Sequence, residues 1–356
     1  MKFSLSGCAA ALLLLAMSCF VEPSAAAASS KSRADASGNP SKAVSKRRKT
    51  KPAPPRPSAA QKQGLRGTDD PLDLKSSVAL VVDQETDEVL LSKNSEAVLP
   101  IASITKLMTM VVVVDAGQSM DETLRVERVA LDTPRNNRSR LKVGAELSRG
   151  ELMHLALMSS ENRAAFTLGA NYPGGLPALV EAMNRKAQEL GMHDSRFVEP
   201  TGLSSDNRSS ASDLALLVKA AYQQPVLRQY STTPDAAVPV GRQMVQFRNT
   251  NALVRSPSWE IGLQKTGFIS EAGRCLVMQA QLAGRKLIMV LLDSAGRYSR
   301  IGDAERIRRW LAGRADASPT HAAKPQVLSM STLDASLPAA VAEGSGNLAR
   351  SGADAF

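Results

Sequence analysis

Cysteine, histidine and aromatic residues are all scarce in this 356-residue chain: three, three and 4% respectively. Three cysteines cannot build a disulfide framework, and the same small counts exclude a zinc-finger array. His154 lies in an apolar, helix-like stretch and reads as a core or interface residue. His193 falls in a polar turn and His321 in a low-complexity tail. No pair has metal-ligand spacing, so neither a metal nor another cofactor is expected, and a Ser-His-Asp triad would have to use one of these three. No glycine-rich phosphate loop opens a helix. Long apolar runs are missing too, apart from Cys8 to Val21, which excludes a multispan membrane protein. A hydrolase built on this chain needs a base other than histidine.

What is present is a globular composition, 43% hydrophobic and 22% charged, with a formal net charge of +10. The charge is concentrated. Residues 29–72 hold 11 Lys/Arg against 3 Asp/Glu, whereas 73–356 are nearly neutral at +2. Nucleic acid is therefore not an expected partner. Lys2, the apolar run and Ser24-Ala25-Ala26-Ala27-Ala28 have the three parts of a secretory signal peptide over residues 1–28. Retention of the run as an anchor stays open. Leu5-Ser6-Gly7-Cys8 spells a lipoprotein box but precedes the apolar run instead of following it. Cleavage after Ala26 or Ala28 would leave Cys275 as the only thiol, which suits an oxidising compartment. Residues 29–72, with Lys46-Arg47-Arg48-Lys49 and a proline cluster, read as a disordered basic linker. It serves either as a spacer or as a weak electrostatic tether to an anionic membrane or wall. Residues 312–356 read as a disordered tail, which leaves 73–311 as one folded unit.

Within that unit, Val78 to Val82 and Glu88 to Leu91 flank a turn and suggest a hairpin. Ser103 to Asp115, Glu151 to Met158, Arg163 to Ala170, Leu176 to Leu190 and Ser212 to Ala221 are helix-like; Gly191 ends the fourth. Met244 to Phe247, Arg274 to Leu282 and Leu287 to Leu292 are strand-like, and Ala304 to Leu311 closes as an amphipathic helix. Strands, helices, strands and a final helix make one α/β unit with a helical insertion, not a repeating βαβ fold.

Serine and lysine three residues apart on a helix share a face, which puts the amine beside the hydroxyl. The pattern S-x-x-K occurs twice, at Ser103–Lys106 and Ser139–Lys142. The second follows a polar loop and reads as chance. Ser103 opens a buried apolar helix, where a lysine is costly unless paired or used; an N-cap role is the simpler assignment for the serine. S-x-N occurs at Ser37, Ser92, Ser160, Ser205 and Ser345, and only Ser160-Glu161-Asn162 links two apolar helix-like stretches. K-T-G occurs once, at Lys265-Thr266-Gly267, where a glycine on a strand would let another backbone approach. Each motif alone is common. Their order along the chain is a much stronger signal.

With these motifs the chain resembles the low-molecular-mass penicillin-binding proteins, serine D-Ala-D-Ala peptidases. Leu99 to Thr109 is similar to the family's nucleophile segment, Phe197 to Leu203 to its connecting turn, and Lys265 to Gly267 with Ala272 to Val277 to its third-motif strand. Ser159 to Ala165 with Tyr172-Pro173-Gly174-Gly175 looks like the D-alanyl-D-alanine endopeptidase branch. The appended β-rich domain and amphipathic helix common among carboxypeptidase relatives have no counterpart here. The resemblance implies an α/β (α+β) fold of the serine β-lactamase and penicillin-binding transpeptidase type, an antiparallel sheet flanked by helices with a helical subdomain. It implies Ser103 as nucleophile and Lys106 as base, its pKa lowered by burial and by the Lys265 cation. Ser160 would relay a proton to the leaving amine, and Asn162 would bind substrate or Lys106. Lys265 and Thr266 would bind the substrate carboxylate along the Gly267 strand, and the N–H groups of Ser103 and Phe268 would form the oxyanion hole. The implied partners are peptidoglycan stems and, as covalent inhibitors, β-lactams; the implied location is the periplasm. Carboxypeptidase action is the alternative, and a class A-like β-lactamase or a non-catalytic sensor are rivals. No residue matches the deacylating glutamate of class A β-lactamases.

Overall fold

The computed structural model describes residues 57–126 and 139–317. The residues read as signal peptide, most of the basic linker and most of the C-terminal tail lie outside the described residues. The chain runs α1 (Ala59–Lys62), β1 (Ser76–Asp83), β2 (Val89–Lys93), β3 (Leu99–Pro100), a 3-10 turn (Ala102–Ile104) and α2 (Thr105–Asp115). It continues through β4 (Thr123–Arg125), β5 (Glu146–Ser148), α3 (Arg149–Met158), α4 (Asn162–Ala170), α5 (Gly175–Glu189) and β6 (Arg208–Ser209). Then come α6 (Ala211–Tyr222), α7 (Pro225–Thr232), β7 (Asp235–Val240), β8 (Gln243–Arg248), β9 (Glu260–Ile269), β10 (Gly273–Leu282), β11 (Arg285–Ser294) and α8 (Ser299–Ala317).

The main sheet is five-stranded and antiparallel, in the order β2-β1-β11-β10-β9. Side chains alternate between its faces. Val78, Leu80, Val277, Ile288, Val290 and Leu292 join the core shared with the helices. Ala79, Val81, Leu276, Met278, Met289 and Leu291 pack instead with Ala304, Ile307 and Leu311 of α8. Covering both faces explains why β10 and β11 read as continuous apolar runs instead of alternating ones. At the centre of the helical part, α2 buries residues 105 to 113 without a break. Packing on all sides overrides the poor helix propensity of Val111 to Val114.

The expected hairpin is present, its turn held by Asp83 Oδ1, which accepts from the N–H groups of Glu85 and Thr86 at 2.9 Å each. A capping box at Ser148 and Glu151 starts α3, and Pro225 starts α7. Seven elements escaped the sequence reading, five of them (α1, β3, β4, β5 and β6) only two to four residues long. Of the other two, α7 is short and β7 carries a proline; β9 was expected only as the strand of the Lys265-Thr266-Gly267 motif, because the buried Gln264, Lys265 and Thr266 hide its apolar character.

The linker boundary also needs correction. Ala60 is 1% exposed, and the N–H of Ala59 donates to the Glu271 carbonyl at 2.8 Å. Asp70 accepts from the buried Lys93 amine at 2.7 Å and from the Leu72 and Leu74 amides. The folded part therefore begins near residue 57, inside the segment read as linker, because a few small and charged residues dock onto a core built by others. At the other end α8 reaches Ala317, past the expected end at 311. His154 is half-buried and stacks on Tyr230 at 5.0 Å, as a packing residue does. Burial pushes the Cys275 thiol up to about 12, so it stays protonated.

Asp303 ties α8 to β1. Its buried carboxylate accepts from the Lys75 and Ser76 amides at 3.0 and 2.8 Å and from Ser76 Oγ at 2.7 Å. Asp303→Ala leaves these donors without an acceptor, and we expect a loss of about 3 kcal/mol. In a domain of this size that lowers Tm by roughly 6–12 °C, measurable by thermal melting.

Candidate active site

Four segments converge on the first S-x-x-K pair. Ser103 lies in the 3-10 turn before α2, not at its cap: Ile104 occupies the N-cap and makes no side-chain capping bond. The serine hydroxyl is thus free of the capping role the sequence allowed. It remains partly exposed, while Lys106, one turn on, has no exposure at all. Lys106 Nζ donates to Ser103 Oγ at 2.9 Å, to Asn162 Oδ1 at 2.7 Å and to the Thr201 carbonyl at 2.5 Å. Burial lowers the amine from its ordinary value to about 7, against the charges of Glu199 and Glu161, which raise it. Of the two expected causes, burial acts and the Lys265 cation does not. Desolvation lowers this pKa, and the neighbouring charges that act on it are acidic.

Lys265 faces Ser160 instead. Its Nζ donates to Ser160 Oγ and to the Thr266 carbonyl, each at 2.9 Å. Burial first, then the charges of Lys106 and Arg300, hold it well below the usual lysine range. Ser160 sits between α3 and α4 at φ 60, a left-handed conformation unusual for a residue with a Cβ. Thr266 Oγ1 lies 2.6 Å from Thr250 Oγ1, and the Thr250 amide is anchored on the Met158 carbonyl at 3.0 Å. Strand β9 is the edge of the sheet; α7 covers its first half, where the Gln264 N–H donates to Ser231 Oγ at 3.3 Å, and the strand becomes exposed at Phe268.

Two glycines allow the segments to meet. A Cβ on Gly267 would lie 2.9 Å from the Ile101 carbonyl oxygen and 3.2 Å from the Ser103 nitrogen. On Gly202, at φ +79, it would lie 2.0 Å from the Ala102 carbonyl oxygen. Phe268 stands apart: its ring is 52% exposed, with the Arg274 guanidinium 4.5 Å above it.

Seven of the eight candidate residues are therefore joined by hydrogen bonds or close approach, and Phe268 follows Gly267 in β9. The second S-x-x-K pair does not form. Ser139 Oγ donates to Glu161 Oε2 at 2.6 Å, and Lys142 is exposed. Sequence reasoning missed Glu199, Thr201, Thr250 and Arg300. Glu199 accepts from the Thr201 and Gly202 amides at 2.7 and 2.6 Å, from Thr201 Oγ1 at 2.5 Å and from Asn207 Nδ2 at 2.7 Å. A carboxylate two residues before Thr-Gly was a usable turn signal for it. Arg300, whose buried Nε and Nη1 have no hydrogen-bond partner among the described residues, had no sequence signal.

A family model described as D-alanyl-D-alanine carboxypeptidase matches residues 65–296. A D-alanyl-D-alanine endopeptidase of Pseudomonas aeruginosa is 49% identical over 253 residues, covering 70% of this chain and 82% of the relative. One from Escherichia coli is 43% identical over 257 residues, covering 72% and 83%. Penicillin-binding protein D2 of Listeria monocytogenes, solved with cefotaxime bound, superposes with a TM-score of 0.60 at 29% identity, covering 68% of this chain and all of that one.

Close approach at Gly202 gives a sharp comparison with Gly284, which also has positive φ but nothing within 4 Å of a Cβ. Gly284→Ala meets only backbone strain, about 1 kcal/mol. Gly202→Ala adds a backbone clash beneath Ser103, and we expect at least about 3 kcal/mol. Thermal melts of both variants should differ by several degrees.

Proposed function

The chain belongs to the D-alanyl-D-alanine carboxypeptidase family of serine peptidases, and on that premise we propose that it is a D,D-endopeptidase cleaving D-alanyl-meso-diaminopimelate cross-links in peptidoglycan. One observation carries the mechanism. A fully buried lysine amine with a pKa of about 7 lies 2.9 Å from a partly exposed serine hydroxyl. At neutral pH a large share of that amine is unprotonated and can accept a proton.

Ser103 Oγ attacks the D-alanyl carbonyl carbon as its proton moves to Lys106 Nζ. The N–H groups of Ser103 and Phe268 receive the developing oxyanion, an interaction typically worth ~3 kcal/mol per donor. Collapse breaks the C–N bond. The leaving nitrogen takes its proton through Ser160 Oγ, which is bonded to Lys265, and an ester on Ser103 remains for water to hydrolyse. Asn162 holds the Lys106 amine in place. Lys265, Thr266 and Arg300 take the carboxylate on the carbon that bears the leaving nitrogen. Terminal D-alanine and the D-centre of diaminopimelate both carry that carboxylate, so the same groups serve either substrate.

Endopeptidase action is supported by the two relatives of that name. Carboxypeptidase action is the second reading, supported by the description of the matching family model. Slow hydrolysis of a β-lactam adduct is expected, because the two nearby glutamates are already engaged. Glu199 holds the connecting turn and Glu161 accepts from Ser139. A peptidoglycan substrate supports a periplasmic location. No helix among the described residues is long and apolar enough to cross a membrane. The basic segment ahead of residue 57 would act as spacer or tether.

Ser103→Ala should abolish labelling by fluorescent penicillin while the fold persists with a small change in Tm, since the Lys106 amine keeps two of its three acceptors; label moving to Ser139 would overturn the assignment. In the wild type the acylation rate should rise with pH through an apparent pKa of about 7, because the neutral form of Lys106 is the base. A rate independent of pH between 5 and 9 would contradict that role. Digestion of isolated peptidoglycan should convert cross-linked muropeptides to monomers. Release of free D-alanine with cross-links untouched would establish the second reading.

A further inference from the structure

Past the end of β9 the surface becomes concave and rich in arginine. A cavity of about 350 Å³ is lined by Phe268, Ser270, Arg66, Arg274, Arg297 and Asp293, among others. Three arginines and one aspartate thus line it; one oxygen of that carboxylate is engaged, and the other, Oδ1, is buried without a hydrogen-bond partner among the described residues. Asp293 Oδ2 accepts from Ser77 Oγ at 2.7 Å and from Arg66 Nη2 at 3.4 Å, and the aspartate side chain is nearly inaccessible. Arg274 and Arg297 form no ion pair among the described residues. They lie over the rings of Phe268 and Tyr298 at 4.5 and 5.3 Å. Stacking holds a guanidinium plane while leaving the N–H groups at its edge available to an anion. The Arg274 charge is also felt at Arg300, whose pKa is lowered by burial and then by Arg274. This corner of the molecule has an excess of positive charge.

The direction of the substrate follows from the cleft. The reacting carbonyl must lie against Ser103, beside Gly267. The leaving nitrogen lies on the side of Ser160 and Lys265, which exchange a hydrogen bond. The acyl portion must then extend the other way along the open edge of β9, from Gly267 past Phe268 towards Ser270. Strand addition at an edge positions an extended peptide in this manner. At ~3.3 Å per residue, two or three residues of substrate bring the peptide over the cavity.

We propose that this cavity is a subsite for free carboxylates on the acyl side of the scissile bond, those of the stem peptide that stays ester-linked to Ser103. In a diaminopimelate-containing stem the residue before D-alanine carries a side-chain carboxylate, and the γ-linked D-glutamate before it carries a free α-carboxylate. Arg274 and Arg297 would receive them through charge-assisted hydrogen bonds, with Arg66 at the far wall. The inference rests on the D,D-peptidase reading but not on the choice between cross-link and terminal D-alanine, because both substrates have the same acyl side.

The test uses Arg274→Gln/Arg297→Gln in the full chain, with two synthetic stem substrates: one with these carboxylates free, one with them amidated. Benzylpenicillin, whose acyl side has no carboxylate there, serves as the control. The expected result is at least a tenfold loss of kcat/KM on the free-acid stem, mostly in KM and weakened by salt in the wild type. Turnover of the amidated stem and acylation by benzylpenicillin should stay within about twofold. Equal losses on acid and amide stems, or no loss on either, overturn the subsite. Should the double variant fail to fold, Arg297→Gln alone, at an exposed position, should show the same selectivity in smaller measure. If the wild type forms the penicillin adduct but cleaves neither cross-linked nor pentapeptide stems, the peptidase reading has failed, and the subsite with it.

Discussion

A lysine amine without solvent contact is the constraint around which this molecule is organised. Burying a charged amine is strongly unfavourable, and the chain meets that penalty by letting the amine approach neutrality and by giving it three acceptors. Each acceptor comes from a different place: Ser103 from the same helical turn, Asn162 from the start of α4, and Thr201 from the turn before β6. None could be displaced without leaving the amine short of a partner. The position of α2 in the middle of the helices, with its long buried run, is therefore as much a condition of the chemistry as of the fold.

The segments that supply these acceptors are themselves held by local devices. Glu199 gathers backbone and side-chain donors of the connecting turn and so aims the Thr201 carbonyl at Lys106. Ala102 and Ser160 both hold positive φ, at 49° and 60°. Backbone strain of this kind persists only where the surroundings over-determine it. Here Gly202 and Gly267 press against the Ile101–Ser103 backbone from two sides. Two lysines with lowered pKa face different serines across one cleft, Lys106 with Ser103 and Lys265 with Ser160. Their separation suits a reaction in which one proton is taken from a nucleophile and another is given to a leaving group.

The N-terminal docking segment gives the fold a further boundary. Residues 58 to 70 attach to the sheet through Ala59, Asp70 and Arg66, and in doing so form one wall of the arginine-rich cavity. A stretch that looks like solvated linker by composition thus borders the path of the substrate strand. Composition describes what a segment can bury by itself, whereas docking depends on what its neighbours already bury.

Much of the site was legible from order and spacing alone. Ser103 and Lys106 are neighbours because residues three apart in a helical turn share a face, and Ser160, Asn162 and Lys265 to Gly267 were found as short motifs in the expected order. The hairpin and most helices followed from local signals, such as turn residues at Gln84 to Asp87 and a terminating glycine at 191. The remaining assignments needed three dimensions. Strand β9 was legible only through its Lys-Thr-Gly motif, because the buried polar residues Gln264, Lys265 and Thr266 interrupt its apolar pattern. Glu199 aims a carbonyl at a lysine 95 positions from Thr201, and Thr250 is anchored on Met158, contacts that no local pattern announces. The sequence by itself determined which chemical groups exist and which local turns carry them. Tertiary packing alone decided that the lysine would be buried enough to act as a base, because desolvation depends on every segment that closes over it.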